Sequence, residues 1–364
     1  MESTNCIFVG CDLHEKTLVN RIAVNREDAQ KRTFSNTVSG RAKMIGLLKQ
    51  QAESLGGARI FFVYEASGQG FILCDQLKAA GIECSVLAPT KIERSNKEKR
   101  NKNDDRDAER LLDIVRSHVL AGTKLPAVWV PDLQTRDDRE TVRTRLDLSE
   151  KQTKIKVQIQ TLLKRRGAEK PEHVKGSWTV AWRRWLSALS EAESESAGFR
   201  NTMGSLLRQM DFLEQEIARM DQAVDALCEM PHLKRIVDAL DAEQGVGRLT
   251  AVAYTTEVGD FKRFHNRKQI GAYWGITPSS AESGETSDRK GHITRQGSPR
   301  MRRILCQSAW SRVQHHEGER ELYLRLAERN PKRKKIALVA AMRRLAVRLW
   351  HVGMKQVCTA MPEA

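Results

Sequence analysis

The sequence predicts an α/β domain at the N-terminus, a long helical middle and a mostly helical C-terminal region. Three observations carry this. Residues 1–125 alternate β-prone runs with helix-period stretches, residues 132–235 are polar and keep helical spacing over many turns, and residues 236–364 mix helices with basic, Gly-containing loops. At the start, CIFVGCD (6–12) is a β-prone run ending in an acid, and TLVNRIAVN (17–25) and KRTFSN (31–36) follow after short polar connections, as in an antiparallel meander. GRAKMIGLLKQQAESLGG (40–57) has apolar residues at helical spacing and a Gly pair to stop it. ARIFFVYEA (58–66) is a continuous apolar run, as expected of a strand covered on both faces. A helix (69–80), Gly81, a strand IECSVLAP (82–89) and a helix beginning near Asp104 complete the domain.

Three strands followed by helix, strand, helix, strand, helix is the element order of an RNase H-like fold. In that topology the fourth strand pairs beside the first, which would bring Asp12 and Glu65 together at the C-terminal strand ends. In the middle region, Val142, Leu146, Ile155, Ile159 and Leu162 keep helical spacing until Gly167 and Pro171 break it. A second polar helix follows, ending near Met230 and Pro231. Two amphipathic helices around such a break read either as an antiparallel coiled-coil arm or as a hairpin packed on its own domain.

The acids have chemical meaning as a set. Phosphoryl transfer on DNA commonly uses two divalent ions about 4 Å apart, clamped by carboxylates. Asp12 and Glu65 each end a strand, and Asp104 and Asp107 are three apart, so both would share one helix face. Singly, an Asp after a strand is usually a turn or cap residue, and the run KNDDRDAERL reads as a solvated helix start. Glu65 is harder to dismiss, because an acid directly after a buried apolar run is costly unless paired or metal-bound.

Composition narrows the partner. The formal net charge is +16, and from Phe261 to Arg303 ten Lys/Arg face three acids. Cations placed at phosphates release condensed counterions, so a polyanion is the expected partner. The seven scattered cysteines form no CxxC pair and read as reduced thiols rather than a disulfide framework or zinc site. The opening residues lack the pattern of a signal peptide, and no run approaches the ~18 apolar residues of a membrane span. The expectation is a cytoplasmic protein with no membrane partner. GVGRLTA (245–251) is compatible with a helix–hairpin–helix turn whose glycines, Gly245 and Gly247, expose backbone N–H groups to phosphate, or with a plain interhelical turn. Trp274, Trp310 and Trp350 are expected in the core.

Six segments taken in order, VGCDLHEK, YEASGQGF, LAPTKIERSNKEKRNKNDDRDAERL, GVGRLTA, IGAYWGITPSSAESG and KGHITRQGSPRMRRIL, resemble those of the DEDD transposases of the IS-one-ten insertion-sequence family, recombinases guided by a bridge RNA. The sequence departs from the family pattern at Asn103 and Gln244, and neither change removes a chemical group. The resemblance implies a RuvC-like catalytic domain (1–128), a coiled-coil region (129–235) and a C-terminal transposase domain (236–364). It implies that Asp12, Glu65, Asp104 and Asp107 bind Mg²⁺, as two ions, and that Ser283, before Gly284, is the nucleophile, with Ser280 as second choice. It also implies donor and target DNA, a structured guide RNA and a homo-oligomer (a dimer, with a tetramer in the active complex) as partners. Arg289, Lys290, Arg295, Arg300, Arg302 and Arg303 are the expected nucleic-acid contacts around the serine. A hydrolytic nuclease using the same acids and a non-enzymatic nucleic-acid scaffold are the competing readings.

Overall fold

In a computed structural model the chain is described at residues 5–92, 104–280, 290–328 and 333–359. It divides into two compact units, Met1–Pro131 and Asp132–Ala364.

The first unit is built on a five-stranded sheet. Strands β1 (Cys6–Leu13), β2 (Thr17–Val24), β3 (Gln30–Ser35), β4 (Arg59–Glu65) and β5 (Glu83–Leu87) lie in the order β3-β2-β1-β4-β5. The first three form an antiparallel meander, and β4 and β5 run parallel to β1. The fourth strand thus pairs beside the first, as the order of elements predicted. Alternation along β1 and β4 splits the core in two. Ile7, Val9, Cys11, Ile60, Phe62 and Tyr64 meet Met44 and Leu48 of α1 (Val38–Ser54) and Leu73 and Leu77 of α2 (Ile72–Ala79). On the other face Phe8, Phe61 and Val63 meet Leu111, Leu112 and Val115 of α3 (Asp104–Ala121).

Helix α1 starts where Thr37 Oγ1 accepts a bond from Gly40 N (3.1 Å), and left-handed Gly56 and Gly57 follow its end. Helix α2 begins three residues later than the sequence suggested. Gly70 has φ +69°, and a helical turn cannot pass through it.

Gly10 sets how closely α3 lies on the sheet. A Cβ there would sit 2.2 Å from both Ala108 O and Leu112 N, atoms of a helix backbone that cannot yield as a side chain can. Gly10→Ala should therefore destabilise the protein by about 3 kcal/mol, the upper part of the range for overpacking. That corresponds to a fall of roughly 10 °C in Tm for a unit of this size, readable by thermal melting. A melting point unchanged to within about 2 °C would contradict this packing.

In the second unit α4 (Leu133–Arg166) and α6 (Ala197–Cys228) run antiparallel. Arg145 of α4 bonds Asp221 of α6 at one end, and Arg166 bonds Ser196, the N-cap of α6, at the other. Asp132 caps α4, and left-handed Gly167 ends it at the expected break. A helix the periodicity did not suggest, α5 (Val180–Glu191), inserts Trp182 and Leu186 among Leu148, Ile159, Phe199 and Met203 of the pair.

The remaining helices are α7 (Pro231–Asp241), α8 (Arg248–Val258), α9 (Arg267–Tyr273), α10 (Pro299–His315), α11 (Glu317–Glu328) and α12 (Lys334–Thr359), with a hairpin of β6 (Pro278–Ser280) and β7 (Lys290–Ile293). Residues 251–258 of α8 are buried all round, as befits a central core helix. The long α4 belongs to this core at its base. Arg139 donates to the carbonyls of Thr256 and Glu257, both at 2.8 Å, and Arg143 forks onto the buried Glu257 carboxylate at 2.6 and 2.8 Å. Trp274 and Trp350 are core residues, whereas Trp310 is 42% exposed and stands edge-on to Tyr323. The expectation for Trp310 is corrected, because its ring packs edge-on against Tyr323 of α11 and stays largely open to solvent. Among the described residues, no helix is long and apolar enough to cross a membrane.

Candidate active site

Strand register brings two of the predicted acids to one place. The parallel β1–β4 pairing runs from Cys6 opposite Arg59 to Cys11 opposite Tyr64, so Asp12 and Glu65 are the next residues on neighbouring strands. Alternation puts both on the α3 face, since Cys11 and Tyr64 belong to the opposite core. Asp12 remains partly accessible, with 18% of its side chain exposed.

Helix α3 delivers its acidic start to the same end. Near its C-terminus Arg116 bonds Glu27 O beyond β2, beside the beginning of β1, while Asp105 and Glu109 meet Arg21, which lies opposite Gly10. The helix therefore runs antiparallel to β1, with its N-terminus toward the strand ends that carry Asp12 and Glu65. Within the run KNDDRDAERL the acids are not equivalent. Asp105 takes the Arg21 fork at 2.8 and 2.6 Å, and this hydrogen-bonded guanidinium, with Lys31 beyond it, holds its carboxyl below the usual carboxylate range. Asp105 is thus a structural acid that ties α3 to β2. Asp107 precedes Ala108, the residue stacked on Gly10. Its Oδ1 accepts from Arg110 at 3.2 Å, with 13% of the side chain exposed. The side chain of Asp104 lies outside the described residues.

One participant was not singled out from sequence. His14 Nε2 lies 3.0 Å from Asp12 Oδ2. The signal was available in CDLH, because residues two apart in extended chain share a face. Asn36 in turn donates to His14 O at 2.8 Å and accepts from the buried Arg41 at 2.7 Å, which fixes the β1–β2 turn. Cys11 takes no part in the chemistry. Burial and then the charge of Asp12 push its thiol far up, so it stays protonated.

The donor set, carboxylates with one imidazole beside them, is that of a hard divalent cation. Among the described residues no three His, Cys, Asp or Glu side chains stand close enough to hold a metal ion as they are arranged, and the set without Asp104 is incomplete. Asp12 and Glu65 fit such an ion by chemistry, shared face and strand end, and Asp107 by chemistry.

The second unit carries the serine-rich segment. Strands β6 and β7 pair antiparallel, Pro278 opposite Ile293 and Ser280 opposite Lys290. Ser283, Gly284 and Arg289 lie outside the described residues, as do the side chains of Ser280 and Lys290. Two nearby hydroxyls have structural tasks, Ser279 donating to His292 O (2.9 Å) and Ser298 capping α10. Gly275 and Gly297 pack backbone on backbone, a Cβ on Gly275 falling 2.6 Å from Gly297 N, so the WGITP and RQGSP stretches meet through their glycines.

The basic residues expected at phosphate have mixed placements. Arg295 is exposed with φ +55°. Arg300 forks onto Asp147 at 2.5 and 2.7 Å, and Arg303 meets Glu150 at 3.1 Å, both acids of α4. Arg302 donates to Gly297 O at 2.5 Å, and burial draws its guanidinium below its ordinary value. Gly245 has φ +82° and would place a Cβ 2.9 Å from Arg312 N, so it serves close helix packing, while Gly247 stands open at the start of α8. Gln244 is also occupied, donating to His315 O and accepting from Arg312.

Comparison with known proteins gives the same assignment for both units. Residues 9–166 match a DEDD family model described as a transposase, and residues 237–324 match the model of the transposase IS116/IS110/IS902 family. A putative transposase of Sinorhizobium fredii is 31% identical, over 97% of this chain and 85% of its own length. The transposase for insertion sequence element IS1533 of Leptospira borgpetersenii is 26% identical, over 84% of each chain. That for IS1111A of Coxiella burnetii is 24% identical, over 65% of this chain and 61% of its own.

Proposed function

The chain belongs to the IS110 (IS-one-ten) family of transposases and so acts in DNA transposition, and we propose that it cuts and rejoins DNA through a composite of its acidic site and Ser283. The observation that carries this is the β1–β4 register, which sets Asp12 beside Glu65 at the strand end toward which α3 points its acids. The sheet order supports an RNase H-like, RuvC-like reading of the first unit, and the antiparallel α4–α6 pair supports a coiled-coil arm in the second.

Asp12, Glu65, Asp104 and Asp107 would hold two Mg²⁺ ions. When bound, such ions neutralise charge that develops on the transferring phosphate. Carboxylates from three elements would hold those ions where they can meet the phosphate, and His14 steers the Asp12 carboxylate. Ser283 Oγ gives up its proton and forms a bond to phosphorus while the bond to the strand oxygen breaks, and that oxygen leaves and takes up a proton. The phosphoserine so formed conserves the phosphodiester energy for rejoining, which hydrolysis would discard. A guide RNA that pairs with donor and target would leave the protein to hold backbone and shape. It fits a sequence with no recognisable base-reading module, such as a zinc finger or a basic zipper, among its motifs.

Ser283→Ala tests the scheme. Incubated with element-end and target DNA, the guide RNA and Mg²⁺, the wild type should yield a denaturation-resistant protein–DNA adduct. The variant should yield none while binding the same nucleic acids within a few-fold. Adducts persisting in Ser283→Ala move the nucleophile elsewhere, with Ser280 next. Cleaved DNA with no adduct in the wild type assigns hydrolysis.

A further inference from the structure

The charges predicted to meet phosphate at 300–303 are largely engaged by Asp147, Glu150 and backbone carbonyls. Unspent positive charge of the second unit lies elsewhere. A cleft of about 1060 Å³ opens between α11, α12 and the start of α9, floored by Leu322, Leu326, Val339, Val347 and Val352. Arg267, Lys268, Arg343 and Lys355 line it, and none of them has an acidic partner among the described residues. Half-exposed Arg344 adds a fifth cation, only loosely held by Glu319 at 3.5 Å. The carboxylate in the lining, Glu319, is buried, with 8% of its side chain exposed, and is shared with Arg312. The cleft therefore shows an approaching partner positive charge and apolar surface, and almost no negative charge.

We propose that this cleft binds a single DNA strand, an inference that rests on DNA being the partner of the chain. Three features favour it. Arg343 and Lys355 stand twelve residues apart on α12, which at 1.5 Å per residue is about 18 Å, or roughly five nucleotides at the stacked rise of ~3.4 Å. Both line the cleft, so cations spread over that length can meet successive phosphates of one backbone, as single-strand grooves do. The apolar floor suits exposed base and sugar faces, whereas a duplex hides its base faces and presents mainly sugar and phosphate. Arg312 Nε and His316 Nδ1, belonging to lining residues, also lack hydrogen-bond partners among the described residues, and a bound phosphate or base oxygen is the acceptor such nitrogens want. Strand transfer needs a place for a displaced strand, and the cleft, lined in part by Ile276 and Pro278 of the stretch that leads into the serine segment, supplies one.

The test uses Lys268→Gln/Lys355→Gln in the full chain, with a labelled oligonucleotide of about 20 nucleotides, single-stranded or as duplex, titrated across a salt series. Both lysines are exposed, so an unchanged melting point checks folding. Loss of two phosphate contacts should flatten the slope of log K against log salt by about 1.4 for the single strand. It should weaken single-strand binding about tenfold near 0.1 M salt and leave duplex binding within about twofold. An unchanged single-strand slope overturns the proposal, as does equal weakening of the duplex. So does loss of affinity for an acidic amphipathic peptide with DNA binding intact, which would assign the cleft to a protein. Asp12→Ala should bind the strand normally while losing cleavage, so failure at the cleft leaves the acidic site standing. A wild-type chain that binds no DNA overturns both.

Discussion

Asp12→Ala and Glu65→Ala should each slow DNA strand cleavage by about 10³-fold or more, with DNA binding kept within a few-fold. The expectation follows from where the two carboxylates stand. They end adjacent parallel strands on one face, and the neighbouring core residues Phe8, Phe61 and Val63 fix both strands against α3, so neither acid can be replaced by movement of the other. A carboxylate that only capped a turn would cost about 1 kcal/mol of stability and nothing in rate. Asp105→Asn supplies the internal contrast. It loses charge in the Arg21 fork and should lower the melting point, yet its catalytic rate should stay within about threefold because its carboxylate faces β2. Single-turnover cleavage with saturating Mg²⁺ reads the difference. Wild-type rates in Asp12→Ala would remove the acidic site from the mechanism.

The contrast between Asp105 and Asp107 also shows what the sequence could and could not reveal. Strand runs ending in acids were legible, because an apolar run of β-prone residues has a local signature and the order of elements fixed the β1–β4 neighbour. Which acid in KNDDRDAERL faces the sheet end was not, since it depends on Arg21, 84 residues away in sequence. The same blindness affected the basic cluster. Counting Lys and Arg between 261 and 303 could not reveal that Asp147 and Glu150, on a helix more than a hundred residues earlier, neutralise Arg300 and Arg303. Helix α5 escaped notice because Gly176 and Thr179 sit in a loop-like stretch, while its stability comes from Trp182 and Leu186 packing on distant helices. Net charge predicts a polyanion. Only tertiary pairing reveals which cations are still available to meet it.

Mixing two inactive variants should restore activity, and this tests the composite site more sharply than either alone. Asp12→Ala lacks the acid and keeps the serine, whereas Ser283→Ala keeps the acid and lacks the serine. If a site takes its acids from one subunit and its serine from another, a mixed dimer holds one site with both defects and one with neither. Random exchange makes about half of all dimers mixed, and half of their sites intact, so about a quarter of wild-type adduct formation should return. If acids and serine of a site come from the same subunit, every site in every mixture carries one defect, and activity should stay at the level of the separate variants. The measurement is adduct yield after the two proteins are co-refolded or co-expressed, with each variant alone as baseline. Recovery near a quarter places the serine and the acids of one reaction on different chains. A mixture no better than its parts confines the chemistry to a single chain, and the case for oligomerisation would then have to rest on strand exchange alone.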